Sequence, residues 1–120
     1  MPAAHVFSFD DLASVTPTVE AAAPERVLGG DPVTKVWLLS ERADGKVFTG
    51  IWASNLHHVT VNQRGETEYC HILEGRVRLT DEAGNVSTFG PGQAFVLAPD
   101  FVGEWESIEP VRKHFVLCLP

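Results

Sequence analysis

Turn signals interrupt the chain at short, regular intervals from residue 33 onward, and this spacing restricts the fold more than any other feature of the sequence. The segments between the turns are rich in Val, Leu, Phe and Trp and recur about every 8–12 residues. Helices that connect parallel strands do not fit into such intervals, so the strands must pair antiparallel. The sequence therefore predicts an all-β sandwich or barrel. The turn signals are Ala43-Asp44-Gly45, Arg64-Gly65-Glu66, Glu74-Gly75, Glu82-Ala83-Gly84-Asn85, Gly90-Pro91-Gly92, Pro99-Asp100 and Glu109-Pro110.

Short apolar segments between these turns predict the strands themselves. Their β-branched and aromatic residues favour extended backbone. The predicted strands are Thr34–Leu39, Lys46–Ala53, His57–Gln63, Glu66–Leu73, Arg76–Thr80, Val86–Phe89, Ala94–Leu97, Phe101–Ser107 and Arg112–Leu119.

The first 30 residues differ from the rest, because they are Ala-rich, contain Pro17 and Pro24 and end on two glycines. We predict an N-terminal arm over residues 1–30 and a single barrel domain over residues 31–120. Within the arm, the alternation of Phe7 and Phe9 predicts a short strand over residues 5–9 that lies on a sheet or on a partner subunit. A helical turn is expected near residues 10–15.

The charge balance excludes several classes of partner. The 120 residues carry 9 Lys plus Arg against 16 Asp plus Glu, a formal net charge of −7. The longest basic run is Arg112-Lys113, so we expect neither a nucleic acid nor an anionic membrane surface as a partner. No uncharged apolar stretch approaches the roughly 18 residues that span a bilayer, and a cytoplasmic location is expected. Cys70 and Cys118 lie in no CxxC or His-rich context, which predicts two reduced, buried thiols.

Two motifs in the second half of the chain carry a family resemblance. Six residues separate Glu68 from Gly75, and six separate Gly92 from Pro99. They resemble the E-x6-G and G-x5-P motifs of the cupin superfamily, the second with one residue more. Further stretches make the chain similar to the small single-domain, RmlC-like cupins grouped with the ureidoglycine aminohydrolase cupin domain and the ethanolamine-utilisation cupins (DUF861, cupin_3 type). These stretches are residues 24–32, 50–52, 71–80, 101–106 and 110–113.

The resemblance implies an all-β double-stranded β-helix, which is a small jelly-roll barrel, and a homodimer. In metal-binding cupins the first motif supplies two histidines as HxH before the glutamate, and the second motif supplies a third. The corresponding positions here are Asn62, Arg64 and either Gly103 or Glu104, so only Glu68 remains of the expected ligands. A guanidinium is always charged and cannot ligate a metal.

We therefore expect no metal or other cofactor at the usual cupin positions. The open alternative is a relocated metal site built from other donors, namely His58, His71, His114 or Glu66.

The tight turn at Gly65 predicts a hairpin in which residue 64 lies near 68 and residue 62 near 70. Asn62, Arg64, Glu68 and Cys70 would then share one face, extended by Thr60 and His58. Arg64 could pair with Glu68 or offer its planar fork to a ligand carboxylate or phosphate. We hypothesise that Arg64 and Glu68 form the floor of a small-molecule pocket.

Hydrophobic alternation alone favours the opposite orientation of these strands. It would place Val59, Val61, Tyr69 and Leu73 in the core and leave the polar side chains in solvent. The cupin resemblance favours the polar interior, because the motif glutamate faces inward in that family. In this orientation the Val59, Val61 and Leu73 face, with the Phe7 and Phe9 arm, would be covered by a second subunit.

Trp52, Trp105 and Lys113 lie in segments that match the resemblance. Buried tryptophans of a small barrel are usually core or interface residues, as expected also for Trp37, but Trp52 or Trp105 could line the pocket mouth and stack on a flat ligand. Lys113 becomes part of the site if it points inward near Glu68.

The sequence leaves three functions open. The first is binding of a small anionic metabolite without metal. The second is an enzyme acting on a small nitrogen-containing metabolite, with Glu68 as general acid/base and Arg64 orienting the substrate carboxylate, possible also in a metal-dependent form. The third is a structural dimerisation module.

Overall fold

The computed structural model describes residues 5–120, and the regular secondary structure of these residues is almost wholly antiparallel strand. The first four residues of the predicted arm lie outside the described part. No helix in the described part is long and apolar enough to cross a membrane. The elements are β1 (Thr18–Ala21), a 3₁₀ turn (Pro24–Arg26), β2 (Val27–Gly30), β3 (Val33–Glu41), β4 (Val47–Ser54), β5 (His57–Asn62), β6 (Thr67–Asp81), β7 (Val86–Phe89), β8 (Ala94–Leu97) and β9 (Val102–Cys118).

Two long strands, β6 and β9, pair with each other along nearly their whole length and join two sheets. In the first sheet, the N-terminal half of β6 and the C-terminal half of β9 continue outward to β8 on one side and to β4, β3 and β1 on the other. In the second sheet, the other halves continue to β7 and to β5 and β2. The expected jelly-roll barrel of the cupin type is confirmed.

The bend from one sheet to the other occurs where Gly75 of β6 meets Pro110 of β9. The pairing of the two strands shifts register between Ile72 and Val77. Gly75 has φ of +83°, and a Cβ added to it would lie 2.0 Å from the carbonyl oxygen of Pro110. Only glycine therefore allows both the left-handed backbone and the close approach, which gives the last position of the E-x6-G motif its physical role.

The hydrophobic core fills the space between the two sheets. Alternate residues of each strand face inward, since successive side chains point to opposite faces. The buried core cluster consists of Val59, Ile72, Val77, Leu79, Leu97, Trp105 and Val111.

The inward position of Val59 corrects part of the expected outer face. Val59 is buried in the core and Val61 packs against it, whereas Tyr69 on β6 is 42% exposed. The orientation predicted from hydrophobic alternation is thus correct for β5, whose valines face the core. The orientation predicted from the resemblance, with the polar side chains inside, is correct for the first half of β6. The homodimer itself stays a prediction.

Two strand boundaries predicted inside β6 and β9 are wrong. Glu74-Gly75 and Glu109-Pro110 are bends within continuous strands, because both lie where β6 and β9 pass between the sheets while remaining paired. Two strands of the predicted arm, β1 and β2, were missed, and they pair with β3 and β5. The sheet therefore extends into the segment assigned to the arm.

The start of the arm also differs from its prediction. Residues 5–9 form no strand, and residues 8–15 contain two hydrogen-bonded turns, with Asp11 N–H donating to Ser8 and Val15 N–H donating to Leu12. Phe9 nevertheless packs on the outer face of the first sheet, where its ring centroid is 4.2 Å from that of His114.

Candidate functional site

A buried charge cluster on the inner face of the first sheet is the candidate site. Glu68 and Cys70 follow each other on the inward side of β6, and Lys113 comes from the paired strand β9. Lys113 Nζ donates to Glu68 Oε2 at 2.6 Å and to Cys70 Sγ at 3.3 Å, while the Cys70 thiol contacts the same carboxylate oxygen at 3.4 Å. The Lys113 side chain is 4% exposed and that of Glu68 is 18% exposed. Glu68 is therefore the more accessible member of this ion pair.

Two tryptophans complete the surroundings of the ammonium group. Lys113 Nζ lies 4.6 Å from the centroid of the Trp52 ring and 4.5 Å from that of Trp105, and both rings attract the cation. Burial alone would lower the pKa of Lys113, but the charge of Glu68 and the hydrogen bonds to Glu68 and Cys70 outweigh it, so the pKa is raised. The site thus holds a fixed ammonium cation and not a nucleophilic amine.

Cys70 is fully buried and its thiol stays protonated. Burial is the main cause that raises its pKa to about 12, partly offset by the charge of Lys113. A thiol at this pKa is a poor nucleophile at neutral pH, so Cys70 acts as a neutral partner of Lys113. Cys118 is half-buried, and both cysteines are free.

A second polar group continues the inner surface beyond Trp105. Trp105 Nε1 donates to Ser107 Oγ at 2.9 Å, and the Ser107 hydroxyl is 2.8 Å from that of Ser54. His57 lies beside them on β5, opposite Ser107 in the strand pairing. The sequence reasoning missed Ser54, Ser107 and His57, although the alternation of His57 with Val59 was the signal that could have placed the histidine inside.

The edge strands β7 and β8, each paired only with β6, leave open space between them. A cavity of about 200 Å³ lies there, and neither it nor a neighbouring cavity of about 360 Å³ is lined by Glu68, Cys70 or Lys113. Phe95 lines the smaller cavity, and its ring centroid is 6.1 Å from that of Trp105. Phe95 and then Trp105 therefore lie between the cavity and the ammonium of Lys113. The smaller cavity is lined by Leu79, Asp81, Asn85, Ser87, Phe89, Phe95, Val96, Leu97 and Phe101.

The predicted hairpin between β5 and β6 does not form, which removes the predicted contact of Arg64 with Glu68. β5 pairs with β2 and β9, whereas β6 pairs with β7, β8 and β9. Arg64 is exposed in the intervening turn with φ of +50°, and Asn62 is exposed at the end of β5, where its side chain accepts the Arg64 N–H. The partner of Glu68 is Lys113. Ligand contacts of Arg64 and Asn62 stay predictions.

His58 also lies away from the charge cluster. It is on the outward side of β5, where its Nε2 is 2.6 Å from Glu104 Oε1. The structure thus brings together five of the predicted site residues, namely Glu68, Cys70, Lys113, Trp52 and Trp105, and separates them from Arg64, Asn62 and His58.

The donor set does not fit the usual cupin metal. Glu68, the ligand position kept from the motif, is occupied by the ammonium of Lys113, and like charges would repel a divalent cation from that place. Within residues 5–120, no group of three or more His, Cys, Asp or Glu side chains could hold a metal ion. His71 and His114 do approach, with ring centroids 5.9 Å apart, but on the outer face.

Purified protein is expected to contain transition metal far below one equivalent per chain, since the Lys113 ammonium excludes it from Glu68. Elemental analysis of protein purified without chelator measures this content. A stoichiometric metal that is lost in Glu68→Ala, and kept in the matched outer-face variant His114→Ala, would contradict the assignment of the cluster.

The fold and the inward glutamate define a small cupin-type barrel, and comparison with known proteins gives the family. Residues 41–115 match the family model described as the EutQ-like cupin domain, so the chain belongs to this family. No curated protein matches the chain significantly.

Several solved structures share the fold. A DUF861 family protein of unknown function from Pseudomonas syringae pv. tomato is 25% identical over 88% of this chain and 45% of its own, with a TM-score of 0.77. A DUF861 family protein from Thermotoga maritima is 31% identical over 54% of this chain and 73% of its own, with a TM-score of 0.51. A putative ethanolamine utilization protein Q from Salmonella typhimurium is 13% identical over 88% of this chain and 98% of its own, with a TM-score of 0.65. The chain spans less than half of the Pseudomonas protein.

Proposed function

We propose that the chain binds a small anionic metabolite in the interior of the barrel, without a metal at the usual cupin positions. The observation that carries this proposal is the buried ammonium of Lys113, which lies against the rings of both Trp52 and Trp105. A fixed cation in a region of low dielectric attracts an anion more strongly than the same charge in water. Ligands reach the ammonium group from the side of Glu68, which is the more exposed member of the ion pair.

Because the ligand carboxylate lies beside the Glu68 carboxylate, its affinity is expected to depend on pH. Glu68 already balances the charge of Lys113, so an added anion leaves the cluster with one excess negative charge. Two carboxylates that share one cation bind well when one of them is protonated. Binding of a carboxylate is therefore expected to be accompanied by uptake of one proton, which the two carboxylates of the complex then share.

Titration of small carboxylates and ureides into the protein tests this proposal. We expect a carboxylate to raise the thermal midpoint, with about 2.7 kcal/mol of stabilisation at 100 times its dissociation constant. Its affinity should rise as the pH falls, by up to about tenfold per pH unit for one proton taken up. Calorimetry in buffers of different ionisation enthalpy counts the proton, and the indole N–H resonances of Trp52 and Trp105 report the place of binding.

Two variants identify the anchor of the ligand. The double variant Glu68→Gln with Lys113→Met removes both charges and should lose carboxylate binding, whereas Arg64→Met, in the exposed turn, should retain it. The reverse result would assign the ligand to Arg64, and binding to both variants with no proton uptake would refute an anion site at Lys113.

A second candidate, an enzyme acting on a small nitrogen-containing metabolite, is favoured by the 18% exposure of Glu68, the accessible acid of the cluster. In this reading Glu68 is the general acid/base and Lys113 holds its charge in place. Conversion of a bound compound that stops in Glu68→Gln would establish this function, while binding without turnover supports the first.

A further inference from the structure

His57 is a buried polar side chain on the inner face that the proposed anion site does not use. It is 5% exposed. Its ring stands edge-on to Trp52, with centroids 6.1 Å apart and an interplanar angle of 83°. Lys113 also lies at this indole, with its Nζ 4.6 Å from the centroid of the Trp52 ring. His57 and the ammonium therefore border one aromatic wall.

The neighbours of His57 determine which ring nitrogen carries hydrogen. Asn55 Nδ2 donates to the carbonyl oxygen of Asp31 at 2.8 Å, and Asn55 Oδ1 accepts the N–H of Val33 at 3.0 Å. These two bonds fix the orientation of the amide, so Oδ1 can only accept. His57 Nδ1, at 3.3 Å from that oxygen, must therefore donate.

The other ring nitrogen of His57, Nε2, consequently carries no hydrogen and can only accept a hydrogen bond. Burial, followed by the charges of Arg26 and His58, lowers the pKa of His57, so the ring is neutral at pH 7 and Nε2 has a free lone pair. Among residues 5–120, no group donates a hydrogen bond to Nε2. A buried acceptor without a donor is unfavourable, so this atom is suited to receive a donor from a bound molecule.

We propose that Nε2 of His57 accepts a hydrogen bond from an O–H or N–H group of the ligand. This inference rests on the proposed function, because it places the anionic group of the same ligand at Lys113. The ligand class is then a small carboxylate that also carries a hydrogen-bond donor, with its carbon skeleton lying along the Trp52 ring. His57 is the residue that selects such compounds over plain carboxylates.

Calorimetric titration with butyrate and with 2-, 3- and 4-hydroxybutyrate tests the proposal, since the four probes differ only in the presence and position of the hydroxyl. At least one hydroxy acid should bind about 3- to 10-fold more tightly than butyrate, the range of one net hydrogen bond. His57→Phe should remove this preference, so that butyrate and the hydroxybutyrates bind this variant with similar affinities. His57→Gln, which restores an acceptor, should recover part of it, and the outward-facing control His58→Phe should keep it whole.

The outcomes separate this inference from the proposed function. Absence of binding by all four acids refutes the proposed anion site and the inference with it. Equal affinities for butyrate and every hydroxybutyrate, or a preference that survives His57→Phe, overturn only the role of His57. The ¹⁵N resonance of Nε2 should shift to that of a hydrogen-bonded nitrogen when the preferred acid binds. A resonance that already has this value and does not move would assign Nε2 to a buried water and also overturn the inference.

Discussion

Replacing Glu68 by glutamine is expected to lower the free energy of unfolding by about 3–5 kcal/mol, because removal of one partner leaves the other charge buried without compensation. The charge left without a counter-ion is the ammonium of Lys113, whose side chain is only 4% exposed. The two indoles and the Cys70 sulfur remain as its neighbours. Urea denaturation at pH 7 measures the loss.

The double variant Glu68→Gln with Lys113→Met provides the control. Replacing a buried ion pair as a whole is often close to neutral, so the double variant should lose about 2 kcal/mol less than the sum of the two single variants. Additive losses would mean that the two side chains do not stabilise each other. The outer-face pair Arg76 and Glu109, both well exposed, is a matched comparison whose removal should cost below about 1 kcal/mol.

Alkaline pH should remove the stabilisation that the ion pair of Lys113 with Glu68 provides. The pKa of Lys113 is raised in the folded protein, so its contribution is complete below its ordinary value of 10.5 and is lost as the pH rises through the folded value. Cys70 adds a loss that begins above 9.0, because its thiol ionises in the unfolded chain before it does so in the folded one. The difference between wild type and the double variant isolates the part that belongs to Lys113.

The sequence predicted the fold well because its turn chemistry is local. Glycine, proline and aspartate at fixed intervals predicted an antiparallel barrel, and the E-x6-G motif marked both the inward glutamate and the bend at Gly75. The strand boundaries predicted within β6 and β9 are wrong, because a glycine at the end of a strand and a glycine at a bend within a strand look alike in the local sequence. Only the long-range pairing with Pro110 distinguishes the two.

The site was predicted in part, for a reason that also lies in long-range pairing. Consecutive strands are neighbours in most folds, so the turn at Gly65 favoured a hairpin that would have joined Arg64 to Glu68. In the barrel, β5 belongs to the second sheet, whereas β6 begins in the first, so the two strands do not pair. The cation beside Glu68 is Lys113, which comes from β9. Lys113 could be named as a candidate from the resemblance, but its inward orientation depends on the register of β6 with β9.

Gly75→Ala is expected to destabilise the fold by about 2–5 kcal/mol, through two separate costs. The left-handed backbone costs about 1–2 kcal/mol for a residue with a Cβ, and the overlap of that Cβ with the Pro110 carbonyl costs about 1–3 kcal/mol or more. The substitution also lies at the bend that places the two halves of β6 in different sheets. Denaturant unfolding measures the loss, and thermal unfolding should shift in the same direction.

The chain offers a control for each of the two costs. Gly84 has φ of +85° with nothing within 4 Å of an added Cβ, so Gly84→Ala isolates the backbone cost. Gly103 has no positive φ, yet an added Cβ would lie 2.0 Å from the carbonyl oxygen of Thr80, so Gly103→Ala isolates the overlap. If the loss in Gly75→Ala equals that in Gly84→Ala, Pro110 yields to the new methyl group and the close approach of β6 to β9 is not what holds the bend. A loss near the sum of the two controls means that Gly75 is required both for its left-handed backbone and for the approach of the two strands that carry Glu68 and Lys113.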